Sequence, residues 1–275
     1  MQIHLVQCDS AWMDKTETFA RVDAMMARHA ILAGGLIVLP EMFDTGFSFE
    51  LERTADGDER TLEYLIAMAK RTGCTVHGAR TVLGSDARGL NRTTVIGPEG
   101  AVLCEYDKVH PFSFGKESEF FTGGTEVKQY RWSGGGENDK ESVGASWAVC
   151  PAICYDLRFP ELFRAGAAMG AELFVVPANW PAARQMHRVT LARARAIENQ
   201  AVVVCLNRAG RDPHLVYDGG SVVFDAKGEV LGEMGSAAGV MTVEVDVDAV
   251  RQWRSAFPAL RDRRDEIYGR WRTGG

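Results

Sequence analysis

The chain has 275 residues, enough for one large or two small domains, and at 46% apolar and 25% charged it has the composition of a soluble globular protein with a sizeable core. The formal charge of -6 argues against nucleic acid or an anionic membrane as the main partner but leaves room for a small anionic ligand at a local site. No apolar run approaches the roughly 18 residues of a membrane span. No basic-then-apolar leader opens the chain, and all six cysteines lie outside any disulfide-like framework, so a reducing, cytoplasmic setting is expected.

Residues 3–7 read as a strand. Residues 16–32 follow as a helix with Phe19, Val22, Met25, Met26 and His29 along one face, stopped by Gly34-Gly35. Residues 36–39 form a short apolar strand closed by Pro40-Glu41, and the loop MFDTGFSFE leads to a second helix over 59–72, ended by Gly73. Strands are predicted at 76–82, 93–96 and 101–106, the last two joined as a hairpin across Gly97-Pro98-Glu99-Gly100. A long loop, KVHPFSFGKESEFFTGG, spans 108–124. Long loops without structure of their own are functional or disordered, and its aromatics favour function.

A strand at 127–132 leads into the low-complexity stretch 133–142, expected as an exposed hairpin tip. Residues 147–161, WAVCPAICYDLRFPE, begin as an uncharged apolar strand and break abruptly at Cys154-Tyr155-Asp156, after which Pro160-Glu161 opens a helix to about 169. A strand at 173–176, a long helix at 181–199 and a strand at 201–206 follow. Beyond a polar loop at 207–220, a second hairpin joins 221–224 to 229–233, a strand at 240–245 ends the sheet, and a short helix at 247–257 precedes a charged tail. This alternation, with no linker, predicts one α/β domain over 1–275 with mixed sheets covered by helices. Its core is expected over about 1–246, with a C-terminal helix and tail at 247–275.

Cys154 stands at the turn between a buried strand and a helix, where open α/β sheets hold their chemistry. A free cysteine is more often an inert core residue, and Cys8, Cys74, Cys104, Cys150 and Cys205 fit that description. Four residues of strand separate Cys150 from Cys154 by about 13 Å, too far for a bridge, which needs less than about 7 Å. The same spacing disfavours a metal site, and none is expected.

Glu41, Lys108 and Cys154 each close an apolar strand. If those strands are parallel neighbours, the three side chains meet above one sheet edge. A carboxylate that accepts the thiol proton, a thiolate that attacks a carbonyl and an ammonium facing the oxyanion make a set for acyl transfer. Taken singly, a Glu or Lys after a strand is more often a solvated turn residue.

The segments LPEMFDTGF, YDKVHPF and CYDLRFPELFR, in that order, resemble the carbon–nitrogen hydrolase (nitrilase) superfamily, and the resemblance runs from the first strand to Val245. It implies an α-β-β-α sandwich, a Glu-Lys-Cys triad at Glu41, Lys108 and Cys154, pairing of two copies into a homodimer, and no cofactor. It also implies a second active-site glutamate on the loop after the lysine, aligned with Glu117 or, two residues on, Glu119. The backbone N–H of Tyr155 would be the second oxyanion donor. NWPAARQMHRVTLARARAIENQ and NRAGRDPHLVYDGGS are similar to the omega-amidase branch, which implies a short monoamide substrate bearing a carboxylate, 2-oxoglutaramate or 2-oxosuccinamate. Arg184, ahead of Lys116, is the expected partner of that carboxylate. Arg158 is expected to pair structurally with Asp156 or Glu161, while Trp180, Phe112 and Phe114 could wall the pocket or simply pack in the core. The competing readings are another amidase of the superfamily, acting on N-carbamoyl amino acids, polyamines or a deaminated peptide amide, and a non-catalytic binding module on the same fold.

Overall fold

The computed structural model describes residues 1–134 and 146–268. The hairpin tip expected at 133–142 therefore falls almost wholly outside the described residues. In chain order the elements are β1 (Gln2–Gln7), α1 (Lys15–Met26), β2 (Leu36–Val38), α2 (Leu51–Thr54), α3 (Arg60–Thr72), β3 (Thr75–Leu83), β4 (Gly89–Ile96) and β5 (Val102–Asp107). They continue through α4 (Glu117–Phe120), β6 (Tyr130–Ser133), β7 (Ser146–Pro151), α5 (Pro160–Ala168), β8 (Leu173–Ala178), α6 (Gln185–Asn199), β9 (Val202–Asn207), β10 (Ala209–Arg211) and β11 (Val216–Asp218). The last are β12 (Val222–Phe224), β13 (Val230–Glu233), β14 (Gly239–Glu244), α7 (Val247–Ala256) and α8 (Asp265–Tyr268).

Two six-stranded mixed sheets, ordered β14-β1-β2-β3-β4-β5 and β13-β12-β9-β8-β7-β6, pack face to face. Alternation along each strand assigns its side chains to opposite faces. Ile3, Leu5, Leu36 and Val38 of the first sheet meet Trp147, Val149, Leu173 and Val175 of the second in the layer between the sheets. Their sequence neighbours turn outward. Val6, Ile37 and Val76 pack against Val22 of α1 and Leu65 and Met68 of α3, while Phe174, Val176 and Val203 pack against Phe163 of α5 and Ala192 of α6. Both faces of each sheet are covered, which is why strands such as β2 and β8 are apolar throughout. The result is the α-β-β-α sandwich. Truncating a wholly buried residue such as Phe174 would cost about 3–5 kcal/mol.

Local signals account for most element ends. The Asp14 side chain caps α1 by accepting from the Glu17 N–H, Pro160 occupies the first turn of α5, and Gly73 ends α3 in the left-handed conformation. Helix α1 is shorter than its sequence predicts, stopping at Met26 rather than residue 32. The segment beyond it is drawn away by contacts with the end of α3, where Gly34 donates to the Gly73 carbonyl and the Cys74 thiol to the Leu32 carbonyl.

The expectation that the strands carrying Glu41, Lys108 and Cys154 are parallel neighbours is corrected. β3 and β4 lie between β2 and β5, and β7 belongs to the other sheet. β3 is parallel to β2, and two antiparallel steps through β4 restore that direction at β5. The carboxyl ends of β2 and β5 therefore face the same way and meet the ends of β7 and β8 across the two sheets. Among the described residues no helix is long and apolar enough to cross a membrane.

Candidate active site

Glu41, Lys108, Glu117 and Cys154 come together in one buried cluster. Glu41 and Glu117 are fully buried, Lys108 is 1% exposed, and the Lys108 ammonium lies 2.8 Å from Glu41 Oε1 and 2.8 Å from Glu117 Oε2. The one-turn helix α4 turns Glu117 inward and leaves Glu119 exposed, so of the two candidates Glu117 is the one in this cluster. Asn91 Nδ2 bridges both carboxylates, at 2.8 Å to Glu41 Oε1 and 3.0 Å to Glu117 Oε1. The Phe112 N–H donates to Glu117 Oε2, and the Asn179 N–H, at the end of β8, donates to Glu41 Oε2 at 2.8 Å.

Cys154 opens a 3₁₀ turn, Cys154–Arg158, with φ of 45°, a left-handed conformation that costs a non-glycine residue about 1–3 kcal/mol. Met42, beside Glu41, is likewise left-handed at 41°. Burial, and then the neighbouring Glu41 carboxylate, push the Cys154 thiol well above its ordinary range, against the opposing pull of Lys108. The resting group is thus a thiol beside a base. Lys108 shows the opposite balance: burial alone would lower it, but the Glu117 and Glu41 charges raise it, so it stays an ammonium. Burial raises Glu117, with Lys108 opposing.

The elbow is fixed from beneath by Asp156, which the sequence suggested only as a partner of Arg158. Its buried carboxylate accepts from the Ile153 N–H (2.9 Å), Tyr106 Oη (2.7 Å), the His110 N–H (3.0 Å) and His110 Nδ1 (2.8 Å). One side chain therefore ties the residue before Cys154 to the strand and loop that carry Lys108. Asp156→Ala is expected to lower kcat by about 10- to 100-fold and stability by about 1–3 kcal/mol while moving KM little, because four donors lose one acceptor. Steady-state kinetics and a thermal melt check this; an unchanged kcat would show that the elbow holds its geometry without Asp156.

A cavity of about 50 Å³ opens onto Cys154, Glu41 and Lys108. Phe47, Phe112, Tyr155, Trp180 and Tyr217 supply apolar walls, and Arg158 and Arg184 stand in its lining. The Arg158 guanidinium lies over the Trp180 ring at 4.9 Å and that of Arg184 over Phe112 at 5.5 Å, and among the described residues neither is paired with a carboxylate. Three expectations are corrected here. Arg158 does not pair with Asp156 or Glu161, since Asp156 is taken by Ile153, Tyr106 and His110. Lys116 is exposed at the left-handed residue before α4 and does not line the cavity, and Phe114, 84% exposed, is no wall of it. Asn91 and Asn179 were missed. Only the strand-end position of Asn179, shared with Glu41 and Lys108, offered a signal.

The two-sheet sandwich and the buried Glu-Lys-Cys cluster define a carbon–nitrogen hydrolase. The chain belongs to the carbon–nitrogen hydrolase family, which matches residues 2–255, and it is a hydrolase acting on carbon–nitrogen bonds other than peptide bonds. It is 34% identical over 265 residues to the omega-amidase YafV of Yersinia enterocolitica, covering 95% of this chain and 96% of that one. To the 2-oxoglutaramate amidase of Bacillus subtilis it is 29% identical, covering 97% and 98%. Among solved structures, a CN-hydrolase superfamily protein of Xanthomonas campestris with an arsenic adduct in its active site superposes with a TM-score of 0.85 at 33% identity, covering 96% and 97% of the two chains. A double mutant of the amidase from Nesterenkonia sp. AN1 in complex with acrylamide gives 0.83 at 27% identity, covering 98% and 97%.

Proposed function

We propose that the chain is an omega-amidase, releasing ammonia from a short monoamide with a carboxylate at its far end, 2-oxoglutaramate or 2-oxosuccinamate. The observation that carries this reading is a cavity joining the Cys154–Glu41–Lys108 cluster to the guanidiniums of Arg158 and Arg184, neither of which meets a carboxylate among the described residues, Arg158 lying 3.4 Å from His187 Nδ1. The names of the relatives support it. Glu41 takes the Cys154 proton as the sulfur adds to the amide carbon. Lys108 and the Tyr155 N–H hold the oxyanion, and Glu117 holds Lys108 together with Glu41. Protonated Glu41 gives its proton to the leaving nitrogen, the carbon–nitrogen bond breaks and ammonia departs from a thioester. Glu41 then draws a proton from water, whose oxygen attacks the thioester carbon; the carbon–sulfur bond breaks, the acid is released, and the sulfur takes the proton back from Glu41. No cofactor enters this cycle.

A guanidinium in a partly apolar cavity desolvates and fixes a carboxylate, which places the amide carbon over Cys154. Charged monoamides are therefore expected to exceed neutral amides of equal length by at least about tenfold in kcat/KM, a difference of roughly 1.4 kcal/mol, with Arg158→Ala or Arg184→Ala erasing the preference. The measurement is ammonia release from a panel of monoamides, nitriles and carbamoyl compounds. Equal turnover of charged and neutral amides would sink the carboxylate site. Faster turnover of a carbamoyl amino acid, a polyamine derivative or a peptide amide would assign another branch, and no ammonia from any member would favour a binding module. The same reading includes a cytoplasmic location and a homodimer, the latter tested by light scattering of the purified protein.

A further inference from the structure

Asn91 lies in β4, where its backbone carbonyl accepts the Lys108 N–H at 2.9 Å, and its side chain closes a ring that the triad leaves open. Lys108 donates to both Glu41 and Glu117 from one side, and Asn91 Nδ2 donates to both from the other. An amide nitrogen carries two hydrogens, and here each carboxylate takes one. The orientation of the amide is set by its neighbours, since carboxylate oxygens accept and only the nitrogen can donate to them. Asn91 Oδ1 accordingly faces away and has no partner among the described residues.

The ring matters because two carboxylates without solvent share one ammonium. Lys108 balances one negative charge, and a second fully buried carboxylate would ordinarily take up a proton. If that proton settled on Glu41, the cluster would lose its base. We propose that Asn91 is a positioning residue of the reaction: by giving one N–H to each carboxylate it holds Glu41 aimed at Cys154 and Glu117 against Lys108. The groups facing Glu41 are Lys108, Asn91, the Asn179 N–H, Cys154, Glu117 and Tyr217, and those facing Glu117 are Lys108, Asn91, the Phe112 N–H, Glu41 and Cys154. Asn91 and Lys108 thus supply the side-chain donors that bridge the pair. The Asn91 bond is one of the influences holding Glu117 down against burial. The catalytic step invoked rests on the amidase reading, whereas the hydrogen-bond ring does not.

Asn91→Ala removes both donors, and Asn91→Asp replaces them with a third acceptor. Losing a donor removes one of the influences that hold Glu117 down against burial, so the carboxylate pair keeps a proton to higher pH. The acid limb of kcat/KM should therefore move to higher pH, further in Asn91→Asp than in Asn91→Ala. kcat at neutral pH should fall by about 10- to 100-fold with KM changed by less than about threefold. The pH dependence of Cys154 alkylation by chloroacetamide, which needs no turnover, should shift in the same order. Near-wild-type kcat, or equal losses with neither profile moved, would overturn the proposal and leave Asn91 a packing residue. Should Asn91→Asp fail to fold, Asn91→Ala alone decides by the same two profiles. If wild type hydrolyses none of the amides, the amidase reading falls, and the alkylation profiles still decide the role of Asn91.

Discussion

Replacing Cys154 with serine is expected to lower kcat by at least about 10⁴-fold, and replacing it with alanine to abolish turnover, the scale on which enzymes lose a covalent nucleophile. Serine fits the space but is a far weaker acid than a thiol, and the base beside it is only a carboxylate. The site already disfavours the anion, because burial and Glu41 raise the thiol. A low resting acidity thus does not single Cys154 out. Burial also raises Cys8 and Cys104, each to about 11. The distinguishing features are a base and a cation within reach and a cavity for the substrate, which Cys154 has. Alkylation followed by mass spectrometry separates the thiols. Inactivation should track modification of Cys154, and inactivation tracking Cys74 or the half-exposed Cys104, with Cys154 intact, would remove the covalent role.

The same contrast between local and tertiary information marks what the sequence could show. Strand ends were legible to within a few residues because strands covered on both faces are apolar along their whole length, as in β8 and β9, and Gly, Pro or charge interrupts them sharply. Which sheet a strand joins was not legible. A period of two says that a side chain faces one way or the other, and nothing in it distinguishes β5 beside β4 from β5 beside β2. Helix α4 was invisible for another reason: a single turn contains no repeat, and its N-terminal side is held by the Lys116 bend. Within the site, the residues at strand ends were readable as Glu41, Lys108 and Cys154. Their supports were not, because Asn91 sits mid-strand among ordinary β residues and Asp156 looks like a turn residue until Tyr106 and His110 arrive from another part of the chain.

Lys108→Arg is expected to lower kcat by about 100-fold or more even though the charge is kept, the scale of losing an oxyanion donor. The ammonium fits between Glu41 Oε1 and Glu117 Oε2 at 2.8 Å each, in a site 1% exposed. A planar guanidinium would pair bidentately with one carboxylate, push the other aside and carry its charge away from the developing oxyanion. A variant near wild type in kcat would count against Lys108 as the oxyanion cation. Lys108→Met separates charge from shape. It leaves two buried carboxylates without their cation, so a loss of about 3–5 kcal/mol of stability is expected at neutral pH. The pH dependence carries the sign. Burial and the Glu41 charge raise the folded-state affinity of Glu117 for a proton above that of the unfolded chain, removing Lys108 removes the main opposing influence, and such a group favours the folded state at low pH and loses that contribution as pH rises. The gap in melting temperature between wild type and Lys108→Met should therefore be wide at pH 7.5 and narrow toward pH 5. A gap of equal width at both values would mean that the lysine stem, packed in the cluster with its ammonium 5.6 Å from the Phe47 ring, matters to the fold more than the charge it carries.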